Sequence, residues 1–314
     1  MTQTVASGYK TDMIKSYKLP FLFILVLTFS AFRLIASPQM SDYIIFKGDT
    51  IATYNLILEQ YLQRRDTAKT EKLFGLSFRN NTNGSFSFNC WRGYQAIYKI
   101  DNDSLWLVDI INCGERRTGT INKAASIEKM KEIFGDNFIG DRIYINWFSG
   151  NLNFPLSNKV LRWDGVFYTI YEKETVIDIA FGKVMSMENV DNYVDNPKAI
   201  DRKSKDKISD ILFKKIKKAK WINIDSIDCS EKYLVTIGKD GKVSKVTMLG
   251  YQSADTIDKY WEIDEYNYCI NTIFSALKKL EFDLIKDKGK PISEDVYIEI
   301  WFDEKKGKIE NWTH

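Results

Sequence analysis

The chain has 314 residues, a length that suits about two domains of ordinary size. Apolar residues make up 44% and charged residues 28%, which favours a packed core over global disorder. A net charge of +3 carries no nucleic-acid signature. The single histidine, His314, leaves Ser-His-Asp, Cys-His and histidine-built zinc chemistry without an oriented imidazole.

From Met13 the order is two lysines (Lys15, Lys18), an apolar run from Leu19 to Phe32, and small residues at Ala36-Ser37 before Pro38. This is the layout of a secretory signal over residues 1–37. The run of 14 residues is shorter than the roughly 20 of a spanning helix. The alternative is an uncleaved signal that anchors the chain to the inner membrane through residues 19–36, the one membrane contact foreseen. Export raises the prospect of disulfides. The four cysteines, Cys90, Cys113, Cys229 and Cys269, include no CxxC spacing. Three pairings are open, of which Cys90–Cys113 with Cys229–Cys269 is the natural one. Four free buried thiols are the other possibility.

A hairpin is predicted over 43–53, turning at Lys47-Gly48-Asp49, followed by a helix through Leu56, Leu58, Tyr61 and Leu62. Strands then dominate. "GYQAIYKI" and "SLWLVDII" flank the turn Asp101-Asn102-Asp103. "SIEKMKEIF" reads as a short helix with Ser126 as its N-cap. "RIYINWF", "KVLRW", "VFYTIYE", "TVIDIAF" and "KVMSMENV" complete a β-rich, mostly antiparallel first domain over 41–196. A basic linker or helix follows at 197–222. Within 198–220 ten Lys/Arg face three Asp, while Ile208, Ile211, Leu212 and Ile216 share one helical face. Such a helix either packs with its lysines in solvent or lies on an anionic membrane or partner.

From Lys232 the pattern tightens. "KYLVTIGKDGKVSKVTML" is a hairpin on Asp240-Gly241, and "GYQSADTIDK" a polar stretch. "DEYNYCINTIFSALKKLEF" is a helix with Tyr266, Ile270, Ile273, Phe274, Leu277 and Leu280 on its apolar stripe. "EDVYIEIWF" alternates Val296, Ile298, Ile300 and Phe302 against Asp295, Tyr297, Glu299 and Trp301.

This order, with "DGKV" at 240–243, "LKKLEF" closing the helix and "GKPI" at 289–292 before the last strand, resembles the C-terminal domain of TonB-type energy transducers over about residues 205–303. The resemblance implies a small β-β-α-β domain over 223–314, in the periplasm, that binds a segment of an outer-membrane partner by adding a strand to its sheet. A transducer also carries a long proline-rich spacer. This chain has five prolines in all, so the resemblance extends to the binding domain and not to energy transduction. "CWRGYQAIYKI" and "INWFSGNL" resemble parts of exported envelope proteins of Gram-negative bacteria.

The expectation is an α+β protein of two domains: an exported, non-enzymatic envelope protein with an envelope protein as partner, and no nucleic acid, cofactor, metal or catalytic residue. Its partner-binding candidates are Asp295, Val296, Tyr297, Ile298, Glu299 and Ile300. The alternative is a carboxylate-dependent glycan hydrolase or sugar-binding protein built on Asp141, Asp164 and Asp178 among Trp147, Trp163 and Tyr168. Turn and sheet-face roles for those residues are the structural counterpart.

Overall fold

A computed structural model describes residues 39–65, 88–138, 140–221, 227–303 and 305–313. The secretory signal, the anchor alternative and His314 lie outside the described residues. Among the described residues no helix is long and apolar enough to cross a membrane.

The chain opens with β1 (Asp42–Phe46) and β2 (Asp49–Thr53), joined at Lys47 and Gly48, both with positive φ. That two-residue turn matches the right-handed twist of its arms. Helix α1 (Ile57–Arg65) then buries Ile57, Leu58 and Leu62. β3 (Gln95–Asp101) and β4 (Ser104–Ile111) form a second hairpin on Asn102 and Asp103, again both at positive φ. β1 lies parallel to β3, and this pairing needs a long crossover, part of which is α1. Asp42 fixes the register. It pairs with Arg92 at 2.7 Å and accepts from the backbone N–H of Ala96 at 2.9 Å and the hydroxyl of Tyr98 at 3.3 Å. Helix α2 (Lys123–Phe134) packs on β4. Its N-cap is Asn122, which accepts from Ala125 N–H. Ser126 instead lies inside the helix, buried, donating to Asp109 and accepting from the N–H of Ile110. The sequence rule found a capping residue type four positions late.

β5 (Ile143–Tyr144), β6 (Gly150–Pro155), β7 (Val160–Trp163), β8 (Thr169–Tyr171), β9 (Lys173–Ala180) and β10 (Lys183–Asp191) follow. The large sheet runs β2-β1-β3-β4-β10-β9-β6, with β5 on β4, and β7 and β8 form a separate ribbon. The sheet curls until its two edges meet. Asn55 Nδ2 donates to the carbonyl of Asn151 at 3.0 Å, and Phe46 stacks on Phe154 at 5.6 Å. Inside the curl Ile44, Tyr98, Leu107, Leu152 and Ile177 pack against α1 and α2. Each fully buried aliphatic side chain there contributes about 1.5–3 kcal/mol.

β11 (Tyr193–Val194) leads to α3 (Lys205–Ile216), β12 (Glu231–Ile237) and β13 (Val243–Met248). The polar stretch contains α4 (Ala254–Tyr260), started by a Ser253–Thr256 capping box. α5 (Ile263–Leu277) follows, then the small hairpin of β14 (Leu284–Asp287) with β15 (Lys290–Pro291). The chain continues in β16 (Glu294–Asp303) and β17 (Lys308–Asn311). The second sheet has the order β13-β12-β16-β17, all antiparallel. Tyr233, Val235, Val246, Ile298 and Ile300 form its inner face, against Ile208, Leu212 and Ile216 of α3 and Ile273 and Leu277 of α5. The helix of the basic segment is therefore part of this core, with most of its lysines turned to solvent.

Both cysteine pairs are disulfides, Cys90–Cys113 and Cys229–Cys269, and there is no free cysteine among the described residues. The second ties α5 to the start of β12. The described residues form one compact unit whose apolar interior is split into these two large clusters and a small third, Leu161, Ile170 and Ile285. At this junction β11 pairs with β14. There Glu294, 8% exposed, accepts from both Arg162 and the fully buried Arg202, with Lys205 at 3.1 Å. The fold is thus α+β with mostly antiparallel strands.

Candidate functional site

The six partner-binding candidates all lie in β16, and β16 is not a terminal strand of its sheet. Residues Glu294–Ile300 pair with β12 on one side, and Ile300–Asp303 pair with β17 on the other. The "tail" of the sequence is thus itself a strand. Its signal was weak, because "KIEN" holds one apolar residue, Ile309, and shows no period.

The hydrogen bonds at the end of β17 reveal which backbone groups point where. Trp312 N–H donates to the carbonyl of Glu299 at 2.9 Å, and Glu299 N–H donates to Thr313 Oγ1 at 3.1 Å. In an antiparallel pair successive residues alternate between the two neighbouring strands. Glu299, Tyr297 and Asp295 therefore turn their N–H and C=O away from β12, while Val296, Ile298 and Ile300 bond to it. Among the described residues β17 covers this side only from Ile300 onward, and Thr313 and Trp312 extend the cover to Glu299. No described strand pairs with Asp295 or Tyr297 on that side. The chain beyond β17 is held in place by Trp312, which stacks on Trp301 at 5.4 Å and 29°, both rings about half exposed. On the wet face the Tyr297 hydroxyl donates to Glu299, and Thr236 Oγ1 to Asp295. Burial, followed by that bond to Glu299, raises the Tyr297 hydroxyl above the ordinary phenol value.

A second concave feature lies in the curled sheet. Between β2 and β6 a cleft of about 240 Å³ opens, and the β7–β8 turn and the tip of the β14–β15 hairpin complete its wall. Tyr54 and Phe167 meet edge-on at 6.1 Å. Tyr168 and Tyr171 add two further rings, and Lys288 stands at the rim. Burial and then a hydrogen bond to Asp287 raise the Tyr168 hydroxyl.

The acids of the hydrolase alternative are not brought into this cleft. Asp164 caps the β7–β8 turn, accepting from the N–H groups of Val166, Phe167 and Tyr168 at 2.8–2.9 Å. Slight desolvation pushes its carboxyl up, but these donors outweigh it and hold it below the usual range. Asp178 is exposed on β9, where Asn151 Nδ2 reaches it at 3.4 Å. Trp147 packs between Tyr61 and Phe134 and donates to the carbonyl of Ile57, and Trp163 is exposed on β7. Tyr168 alone of that set lines the cleft. The buried group around Asp42, Arg92 and Tyr98 is closed to solvent and serves the fold. Among the described residues no three His, Cys, Asp or Glu side chains come together as a metal-binding group.

With this geometry in hand, comparison with known proteins yields no matching family model, curated protein or solved structure. The two disulfides fit an exported protein.

Proposed function

We propose that this is a non-enzymatic protein of the cell envelope, working in the periplasm, that binds a segment of an envelope partner by strand addition beside β16. One observation carries the reading. The outward side of β16 already accepts an antiparallel strand, β17, over Ile300–Asp303, and among the described residues no strand pairs with the same side past Tyr297 and Asp295. A partner strand placed there would extend the line of β17, with main-chain bonds giving affinity and alternate side chains giving selectivity. The resemblance of residues 205–303 to TonB C-terminal domains supports the same edge, and the disulfides support an oxidising compartment.

Tyr297→Pro tests it. Proline removes one outward N–H and leaves the bonds of Val296 and Ile298 to β12, so the sheet tolerates it at such an edge. A photo-crosslinking residue at position 295 in envelope preparations is expected to give a discrete adduct that Tyr297→Pro abolishes while circular dichroism stays unchanged. No adduct, or an adduct equally strong in the proline variant, refutes strand addition here.

A further inference from the structure

We infer that the cleft between β2 and β6 is a saccharide-binding site, with Lys288 selecting acidic sugars. This assignment stands apart from strand addition at β16 and shares no backbone with it.

The shape of the seam argues first. β2 and β6 are the two edges of the curled sheet, so their outer backbone groups invite an added strand. Yet their Cα atoms approach within 8 Å, and inserting a strand between them requires two spacings, roughly 9.5 Å. An extended peptide therefore cannot bond as a strand to both edges where they approach this closely. At about 240 Å³ the cleft suits a single sugar ring with its neighbours in solvent.

The lining argues second. A pyranose presents flat C–H faces and a rim of hydroxyls that both donate and accept. Tyr54, Phe167, Tyr168 and Tyr171 offer ring surfaces for the faces. The polar groups are neutral and already oriented. Asn153 donates its Nδ2 to Glu174 at 3.1 Å, which leaves its Oδ1 as an acceptor for a sugar hydroxyl. The Tyr168 hydroxyl adds a second neutral polar group to the lining.

The charge argues third. Among the described residues no carboxylate is in the lining of the cleft, and the cation there is Lys288. That residue occupies the tip of the β14–β15 hairpin at φ 49°, beside Gly289 at φ 77°. The turn is locked from behind. Gly289 N–H donates to Asn192 Oδ1 at 2.9 Å, and a Cβ on Gly289 would meet Val190 at 3.2 Å. Among the described residues Lys288 makes no ion pair. A lysine whose backbone is held beside an aromatic cleft is matched by the carboxylate of a uronic acid.

The experiment is saturation-transfer NMR and calorimetric titration of the full folded chain. The probes are neutral gluco- and galacto-configured oligosaccharides, uronate-containing ones, and a set of extended peptides. A uronate oligosaccharide is expected to bind. Tyr168→Ala, at a half-exposed position, is expected to weaken it about tenfold or more. Lys288→Gln is expected to remove the preference for uronate over neutral sugar and leave the circular dichroism unchanged. The assignment falls if no saccharide binds, if binding survives both substitutions, or if the peptides bind with shifts at residues 51–53 and 153–155. If strand addition at β16 fails while these titrations succeed, the cleft assignment remains.

Discussion

Glu294→Gln is the most informative single substitution at the junction of the two sheets. Glu294 is 8% exposed and faces three cations: Arg162 through Nε and Nη2, Arg202 through Nη2, and Lys205. Arg202 is fully buried, its Nη1 goes to the carbonyl of Asp283 at 3.3 Å, and its Nε is buried without a hydrogen-bond partner. Converting Glu294 to an amide leaves two guanidinium groups at the junction without their counter-charge. Breaking a buried ion pair from one side costs about 3–5 kcal/mol. Glutamine keeps one carbonyl oxygen for Arg162, so the lower end, about 3 kcal/mol, is expected, a large share of an ordinary domain's 5–15 kcal/mol. The pH dependence sharpens the test. Burial pushes the Glu294 carboxyl up, but the hydrogen bond and charge of Arg162, helped by Lys205, outweigh it and hold it below the ordinary value. A depressed folded pKa contributes stability above the unfolded value, near 4.3, that is lost as pH falls through the folded one. The gap between wild type and Glu294→Gln therefore narrows in acid. Urea unfolding at about pH 7, 5 and 3.5 measures it. A loss under about 1 kcal/mol at neutral pH, or a gap constant with pH, refutes the claim that this carboxylate holds the junction.

Two further substitutions probe the covalent and backbone framework. Replacing Cys229 and Cys269 together by alanine opens a loop with a sequence separation of 40, and a loss of about 4 kcal/mol in urea unfolding is expected; reductant then acts on the variant only through Cys90–Cys113. Gly182 has φ +77°, and a Cβ there would lie 1.8 Å from the carbonyl oxygen of Ile145. Its own backbone is fixed to Leu105 and Phe148. Gly182→Ala is therefore expected to cost more than the roughly 1–2 kcal/mol of the left-handed conformation alone, and a thermal midpoint equal to that of wild type would contradict the geometry.

What was legible in the sequence is what neighbours decide. Asn102-Asp103 and Asp240-Gly241 announce their hairpins because turn and arms are contiguous. The stripe of α5 shows because Tyr266, Ile273 and Leu277 repeat at helical spacing. The natural cysteine pairing matches the observed one because each bridge closes within one half. What stayed hidden depends on partners far along the chain. β17 is a strand because β16 lies beside it, and its four residues carry no pattern of their own. α4 was passed over because its capping box sits in a stretch without an apolar face, and none of its residues is buried. The cleft draws on residues 51–55, 153, 155, 167–169, 171 and 288, which no window of sequence brings together. The acids and tryptophans near it in sequence went to turns, sheet surfaces and the first core instead.

The Cys229–Cys269 bridge also bears on the order in which the second sheet assembles. β12 and β16 pair from Glu231↔Ile300 to Ile237↔Glu294, so one arm must wait for the other across α4, α5 and the small hairpin. Measured through the disulfide, the shortest path from Glu231 to Ile300 is roughly half the path along the chain, which lowers the entropy of closure by about 0.6 kcal/mol. Once α5 is clipped to the foot of β12, the incoming β16 searches a tethered space in which its helix and its neighbouring strand are already side by side. The bridge is thus a kinetic guide as much as a staple, and a compartment that oxidises thiols early would set the sequence of events as well as the final stability.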